Sequence, residues 1–236
     1  CEARYGGYPD AMEEAWKLFR KTAYSSLYSY PRFTWQTVIP DQRRISKIDL
    51  SDDYLQAIRL YASCADELKS SELYRNDLIE FVSYYVAAKA ENFYKQALKD
   101  DLENRVLAAQ RNLQQTVDLL MDVDRLLASH PLYRLEEWVE LARNSGTTLQ
   151  EKDAYEANAK RLITSWGGIQ EDYAARFWSG LIKDYYIPRI QLYFTKDRDK
   201  IREWEEQWIT SPWSNSTTPF DDPVKAALNL IEKTNK

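Results

Sequence analysis

Histidine is almost absent: the 236 residues hold one, His130, so no His-based metal centre can be assembled from this chain alone. Cysteine is nearly as scarce. Cys1 and Cys64 are too few for a disulfide framework and fit no zinc spacing. Cys64 lies in Tyr61-Ala62-Ser63-Cys64-Ala65 and reads as a buried thiol. Cys1 could suggest a lipidated terminus, but Arg4-Tyr5-Gly6 already looks like the interior of a fold, so an excised fragment is expected instead. Glycine numbers only six, and strict apolar alternation is missing, which excludes most β architectures. A net charge of −5 gives no basic footprint, so neither nucleic acid nor an anionic membrane surface is an expected partner. No apolar run approaches the ~20 residues a bilayer span requires. Catalytic signatures are missing too: there is no phosphate-cradling glycine loop, no nucleophile elbow and no Cys/His dyad. No metal or cofactor is expected.

What is present is helical periodicity. The fold class predicted is all-α, a single irregular bundle of roughly eight to nine helices with a long antiparallel helix hairpin. Pro9-Asp10 opens a helix to about Ser25, with Met12, Ala15, Trp16 and Phe19 on one face and a Glu13–Lys17 pair outside. Ser51 caps the next. Two long patterns, about Ser71–Asp100 and Leu102–Ala128, meet at Asp100-Asp101 and predict the hairpin. Leu135–Asn144 stops near Gly146, and Thr148–Ser165 is capped by Thr147 or Thr148. Asp172 is expected to restart a helix that carries Tyr185-Tyr186 and is kinked or broken at Pro188. Ile201–Trp208 and Pro223–Lys233 complete the set, joined by a loop with the sequon Asn215-Ser216-Thr217.

The most informative stretch is Leu162–Phe194, where Gly167-Gly168 follows Trp166 and breaks two helical patterns. With glycine costing about 1 kcal/mol inside a helix, the pair reads as a loop with Trp166 at its rim. Thirty-seven carboxylates make acid pairs unavoidable, so Glu136-Glu137 and Glu205-Glu206 read as solvated helix faces. His130, before Pro131, reads as a partner for a helix C-terminus. The remaining candidates are rings: Trp35, Trp166, Tyr173, Trp178, Trp213 and the tyrosines around Tyr185. Such rings can face the C–H side of a sugar, although core packing is the plainer reading for most. On the residues alone, three functions stay open: a helical protein-interaction module, a helical carbohydrate-binding module, or part of an enzyme.

The series Leu162-Ile163-Thr164-x-Trp166-Gly167, Asp172-Tyr173-Ala174 and Tyr185-Tyr186-x-Pro188-Arg189 resembles the C-terminal domain of the α-N-acetylglucosaminidases, glycoside hydrolase family 89. Arg4-Tyr5-Gly6, Pro9-Asp10-Ala11, Ala15-Trp16 and Tyr74-Arg75-x-Asp77-Leu78 extend the likeness over nearly the whole chain, residues 1–236. The resemblance implies a C-terminal helical domain packed on a catalytic TIM barrel of the same polypeptide, with a small N-terminal domain further upstream. It implies retaining removal of terminal non-reducing α-linked N-acetylglucosamine from glycans, by two glutamates of the barrel that this chain lacks. The isolated chain is therefore expected to be inactive. Trp166 and Tyr173 match family residues that line the sugar pocket, and the place of a family isoleucine beside them falls to Ile169 or Gln170. A family histidine from the loop after the first helix has no counterpart in Leu27–Ile48, so that contact is either lost or replaced, with Phe33 and Trp35 as the candidates. One sequon and few cysteines point to an exported protein of the bacterial periplasm or cell surface, or a lysosomal one if eukaryotic.

Overall fold

A computed structural model of the chain describes residues 1–24, 33–37, 51–166, 174–195, 197–214 and 216–234. The described residues form eleven α-helices and no strand. The nine sequence-predicted helices are present, and two four-residue helices add to them: α1 (Glu2–Tyr5) and α4 (Ala65–Leu68). Both are too short to leave a periodic signal.

The hairpin of α5 (Glu72–Leu102) and α6 (Val106–Leu127) is the spine of the molecule. At 1.5 Å per residue the arms are about 46 and 33 Å long, the first the longer by about 13 Å. The turn falls at Glu103–Arg105, slightly later than the acid pair suggests, with Asn104 in the left-handed region at φ 58°. Asp100 fixes this tip: its carboxylate accepts hydrogen bonds from Gln96, Arg105 and Asn112, which hold its pKa below the usual carboxylate range. The helix α5 buries residues on all sides, as a central helix must.

Around this spine, α2 (Asp10–Lys21) pairs with α3 (Asp52–Ser63), which starts where Ser51 Oγ accepts from the Tyr54 N–H. Rings fill the contact: Phe19 stacks on Phe81 at 4.2 Å and Tyr61 on Tyr74 at 4.9 Å. Arg4 and Tyr5 both bond Asp77 of α5, so two of the distant sequence motifs meet here. α2 ends at Lys21, four residues before the predicted Ser25, where Thr22 Oγ1 turns back to the Leu18 carbonyl. α7 (Leu135–Asn144) and α8 (Leu149–Leu162) form a second pair; Thr148 caps α8, and Glu151 completes the box. The chain then continues through α9 (Ile187–Tyr193), α10 (Ile201–Thr210) and α11 (Pro223–Lys233).

The helix expected from Asp172 departs from the prediction. Asp172 itself lies outside the described residues, but Ala175–Trp178 is not helical. The helix forms only after Gly180, which sits at φ +82°. The cause is remote in sequence. Buried Asp124 of α6 accepts from the backbone N–H groups of Gly180 (2.8 Å) and Lys183 (3.0 Å), acting as an N-terminal cap. Ser179 pairs with Arg134 in a one-residue parallel bridge. Pro188 does not break the helix either. A π-helical turn, Ile182–Tyr186, precedes it, and Pro188 occupies the first turn of α9, where its missing N–H costs least.

Two side chains correct the sequence reading, and a third agrees with it. Glu205 is buried, 1 % exposed, rather than solvated; only Glu206 faces water, paired with Arg161. His130 is buried, its Nδ1 accepts from the Leu132 N–H, and burial lowers its pKa. With its Nδ1 taken up as an acceptor, it is not the helix-end partner that was expected. Cys64 is buried as expected, donating to the Leu60 carbonyl, with its pKa raised by burial.

Candidate functional site

The segment after α8 is held at both ends. On its N-terminal side, Lys160 is 1 % exposed and donates to the carbonyls of Trp208 (2.9 Å) and Ser211. It also pairs with Glu156 at 3.1 Å, and Glu156 in turn takes Arg143 of α7 at 2.6 Å. This ties the end of α8 to α7 and α10. The chain then turns, the Trp166 N–H returns to the Arg161 carbonyl (3.0 Å), and the Trp166 side chain emerges 48 % exposed. All eight tryptophans are described, and Trp166 alone among them is exposed. Leu162, four residues earlier, lines a mainly apolar groove of about 330 Å³ with Trp138, Leu141, Tyr155 and Asn158.

On the C-terminal side the stem is Arg176-Phe177. The Arg176 carbonyl accepts from Tyr186 OH (3.0 Å) and from Gln36 Nε2 (3.3 Å). Phe177 lies against Phe33 and Trp35, with ring centroids 5.7 and 6.3 Å apart. The five described residues of the long irregular stretch, Phe33–Thr37, are therefore packed beside this stem. Buried Glu91 of α5 receives the backbone N–H and hydroxyl of Thr34, and Arg189 Nη2 donates to the Gln36 carbonyl at 2.7 Å.

Trp166 is exposed, next in sequence to the glycine pair. Tyr173 and Ile169 lie outside the described residues, as do Gly167, Gly168 and Asn215. Phe33 and Trp35 do not replace the absent histidine: both are fully buried and stacked on each other at 4.9 Å. Trp35, Tyr185 and Tyr186 are core, and Trp178 and Trp213 are partly covered. Gln36, Glu91 and Glu205 escape sequence reasoning because each draws its partner from a distant element. Arg189 left one local signal, its place in the Tyr-Tyr-x-Pro-Arg series. Among the described residues no group of His, Cys, Asp or Glu could hold a metal ion, and no helix is long and apolar enough to cross a membrane.

A long-hairpin, all-α domain with one exposed tryptophan between anchored stems is the class that this geometry defines. Residues 1–233 match the family model of the alpha-N-acetylglucosaminidase (NAGLU) C-terminal domain, and the chain belongs to that family. Among its relatives is human alpha-N-acetylglucosaminidase, 29 % identical over 216 residues, covering 85 % of this chain and 28 % of the relative. A family 89 glycoside hydrolase from Clostridium perfringens, solved in complex with PUGNAc, shares the fold with a TM-score of 0.83 at 22 % identity, covering 98 % of this chain and 30 % of that one. A structure titled as that bacterium's enzyme with its substrate GlcNAc-alpha-1,4-galactose superposes equally well, with the same TM-score, identity and coverage. The chain spans under a third of the length of these relatives.

Proposed function

We propose that this chain is the C-terminal helical domain of a retaining exo-α-N-acetylglucosaminidase and supplies one wall of its sugar pocket. In this reading the domain packs on a catalytic TIM barrel of the same polypeptide and breaks no bond itself. The nucleophile and the acid/base are glutamates of the barrel. Trp166 lays its ring against the terminal α-linked N-acetylglucosamine and excludes water, Tyr173 orients the sugar through its hydroxyl, and Ile169 adds apolar contact. The substrate is the non-reducing end of a glycan, and the setting is an exported one, periplasmic, cell-surface or lysosomal.

The observation that carries the reading is the exposure of Trp166. Tyr8, Tyr24 and Tyr155 are exposed as well, but among the eight tryptophans this one alone is, and it follows directly on the anchored end of α8. Membership in the family supplies the class of sugar. The test is an assay of 4-nitrophenyl α-N-acetylglucosaminide with the full-length protein and with this chain alone. Turnover by the full-length protein and none by the chain is the expected result. Turnover by the chain alone, or preference of the full-length protein for the β-anomer, would contradict it.

A further inference from the structure

We propose that the cleft where α5 begins, α6 ends and α7 begins is a binding site for a tetrahedral oxyanion, phosphate or sulfate. The cleft holds about 250 Å³. At roughly 30 Å³ per water, it has room for such an ion with part of its hydration shell. Arg75 and Asn76 reach it from the first two turns of α5, His130 from the turn after α6, and Arg134 from the residue that opens α7. None of these residues belongs to the proposed sugar wall, and the site stands or falls without it.

The wall of this cleft carries spare donors and little to receive them. His130 is 4 % exposed, and its Nδ1 accepts from the Leu132 N–H at 3.1 Å, which places the ring proton on Nε2. That Nε2 group meets no acceptor among the described residues, so its partner is whatever fills the cleft. Arg75 commits Nη1 to the carbonyls of Lys69 (2.8 Å) and Ser70 (3.0 Å), and keeps Nε and Nη2 for the cleft. The Asn76 amide has no partner among the described residues either. Against these donors stands one carboxylate in the lining, that of exposed Glu72. Arg134 pairs with Glu136 and Glu137, but both pairs are partly open to water, where ion pairs contribute little, so a bound anion can share the guanidinium. An ionised phosphate or sulfate brings several strong acceptors, which is the complement of this wall. The frame is also fixed in advance. The Arg75 bonds tie α5 to the end of α4, while the Ser179 N–H on the Tyr133 carbonyl (2.8 Å) and the Leu135 N–H on the Ser179 carbonyl (2.9 Å) hold Arg134 between them. Donors ordered before binding lose little freedom when an ion arrives.

The experiment titrates the full-length protein with inorganic phosphate, inorganic sulfate and methyl phosphate in turn, by calorimetry at pH 7 and constant ionic strength. The expected result is saturable binding of at least one of them, with a Kd of about 1 mM or tighter. Tighter binding of methyl phosphate than of inorganic phosphate assigns the site to an esterified group, and the reverse order assigns it to the free ion; either supports the site. Three variants then locate it. Arg75→Met keeps the stem and removes the guanidinium. His130→Asn keeps an acceptor for the Leu132 N–H and removes the Nε2 donor. Each is expected to weaken binding about tenfold or more. Glu72→Gln removes the opposing charge and is expected to tighten binding about two- to fivefold, a gain that damage to the fold does not imitate. Arg198→Ala, which removes the arginine paired with Asp101 near the hairpin tip, serves as a control for general charge and is expected to bind as wild type. Absence of saturable binding, wild-type affinity in both Arg75→Met and Glu72→Gln, or a loss in Arg198→Ala equal to that in Arg75→Met would overturn the site. If His130→Asn fails to fold, Arg75→Met and Glu72→Gln, both changes at the surface of α5, decide between them.

Discussion

Glu205 and Asp184 are both shielded carboxylates, yet their surroundings treat charge in opposite ways. Glu205 receives Arg189, Arg202 and the Tyr185 hydroxyl, so its ionised form is fully partnered. Removing that charge strands Arg189 in the interior. Glu205→Gln is therefore expected to cost about 3–5 kcal/mol, the usual consequence of breaking one side of a buried pair, measurable by denaturant titration. Asp184 has less help. Burial raises its pKa to about 6, against the partial relief offered by Lys183 and by the indole N–H of Trp213. A carboxyl with a raised folded-state pKa stabilises the fold most below its unfolded pKa, and that contribution is lost as pH rises through about 6. Neighbouring Asp124 is pushed the same way by burial. Asp184→Asn should flatten the fall in melting temperature between pH 4 and pH 7; an unchanged pH profile would contradict this.

At the level of elements, caps were legible and remote contacts were not. Ser51, the Thr147-Thr148 pair and Pro223 all mark their helix starts locally, and the helices begin at Asp52, Leu149 and Pro223. Thr148→Ala should cost about 1 kcal/mol, because it removes half of a box in which Thr147 and Thr148 also hold the Glu151 pKa near 2. A melting curve unchanged by this substitution would show that the cap is idle. The helix before Pro188 was misjudged for a plain reason: its true cap, Asp124, lies 56 residues earlier than Gly180. The same distance problem hid Glu205, whose partner Arg189 is on another helix, and His130, whose burial no local pattern foretold. Gly180 fixes the start of that helix. Its φ is +82°, and a Cβ there would meet the Trp213 ring at 3.1 Å and Leu135 Cβ at 3.2 Å. Gly180→Ala should lose about 1–2 kcal/mol from backbone strain, with the crowding added, whereas a neutral effect would mean this turn relaxes freely.

As a whole molecule, the chain has one core that runs from Tyr5 and Met12 to Leu230 and Ile231, with α5 at its centre. A core shared across all parts predicts that the chain folds by itself, giving a helical circular-dichroism spectrum and one cooperative melt; two separated transitions would contradict a single unit. Its architecture was readable from periodicity and scarce glycine. Exposure was readable only in part: Trp166, next to Gly167-Gly168, is exposed, while Phe33 and Trp35, equally aromatic, turned out to be core because Phe177 and Tyr186 close over them. Aromatic type alone does not tell an exposed ring from a core one. The central claim is that the exposed ring faces a sugar held by the rest of a longer polypeptide. The measurement that tests it most directly is kcat/KM of Trp166→Ala in the full-length protein toward an α-linked N-acetylglucosaminide. A loss of about ten- to hundredfold at an unchanged melting temperature is the result predicted here. Wild-type kcat/KM in a stable Trp166→Ala protein would show that this face of the domain does not meet the sugar.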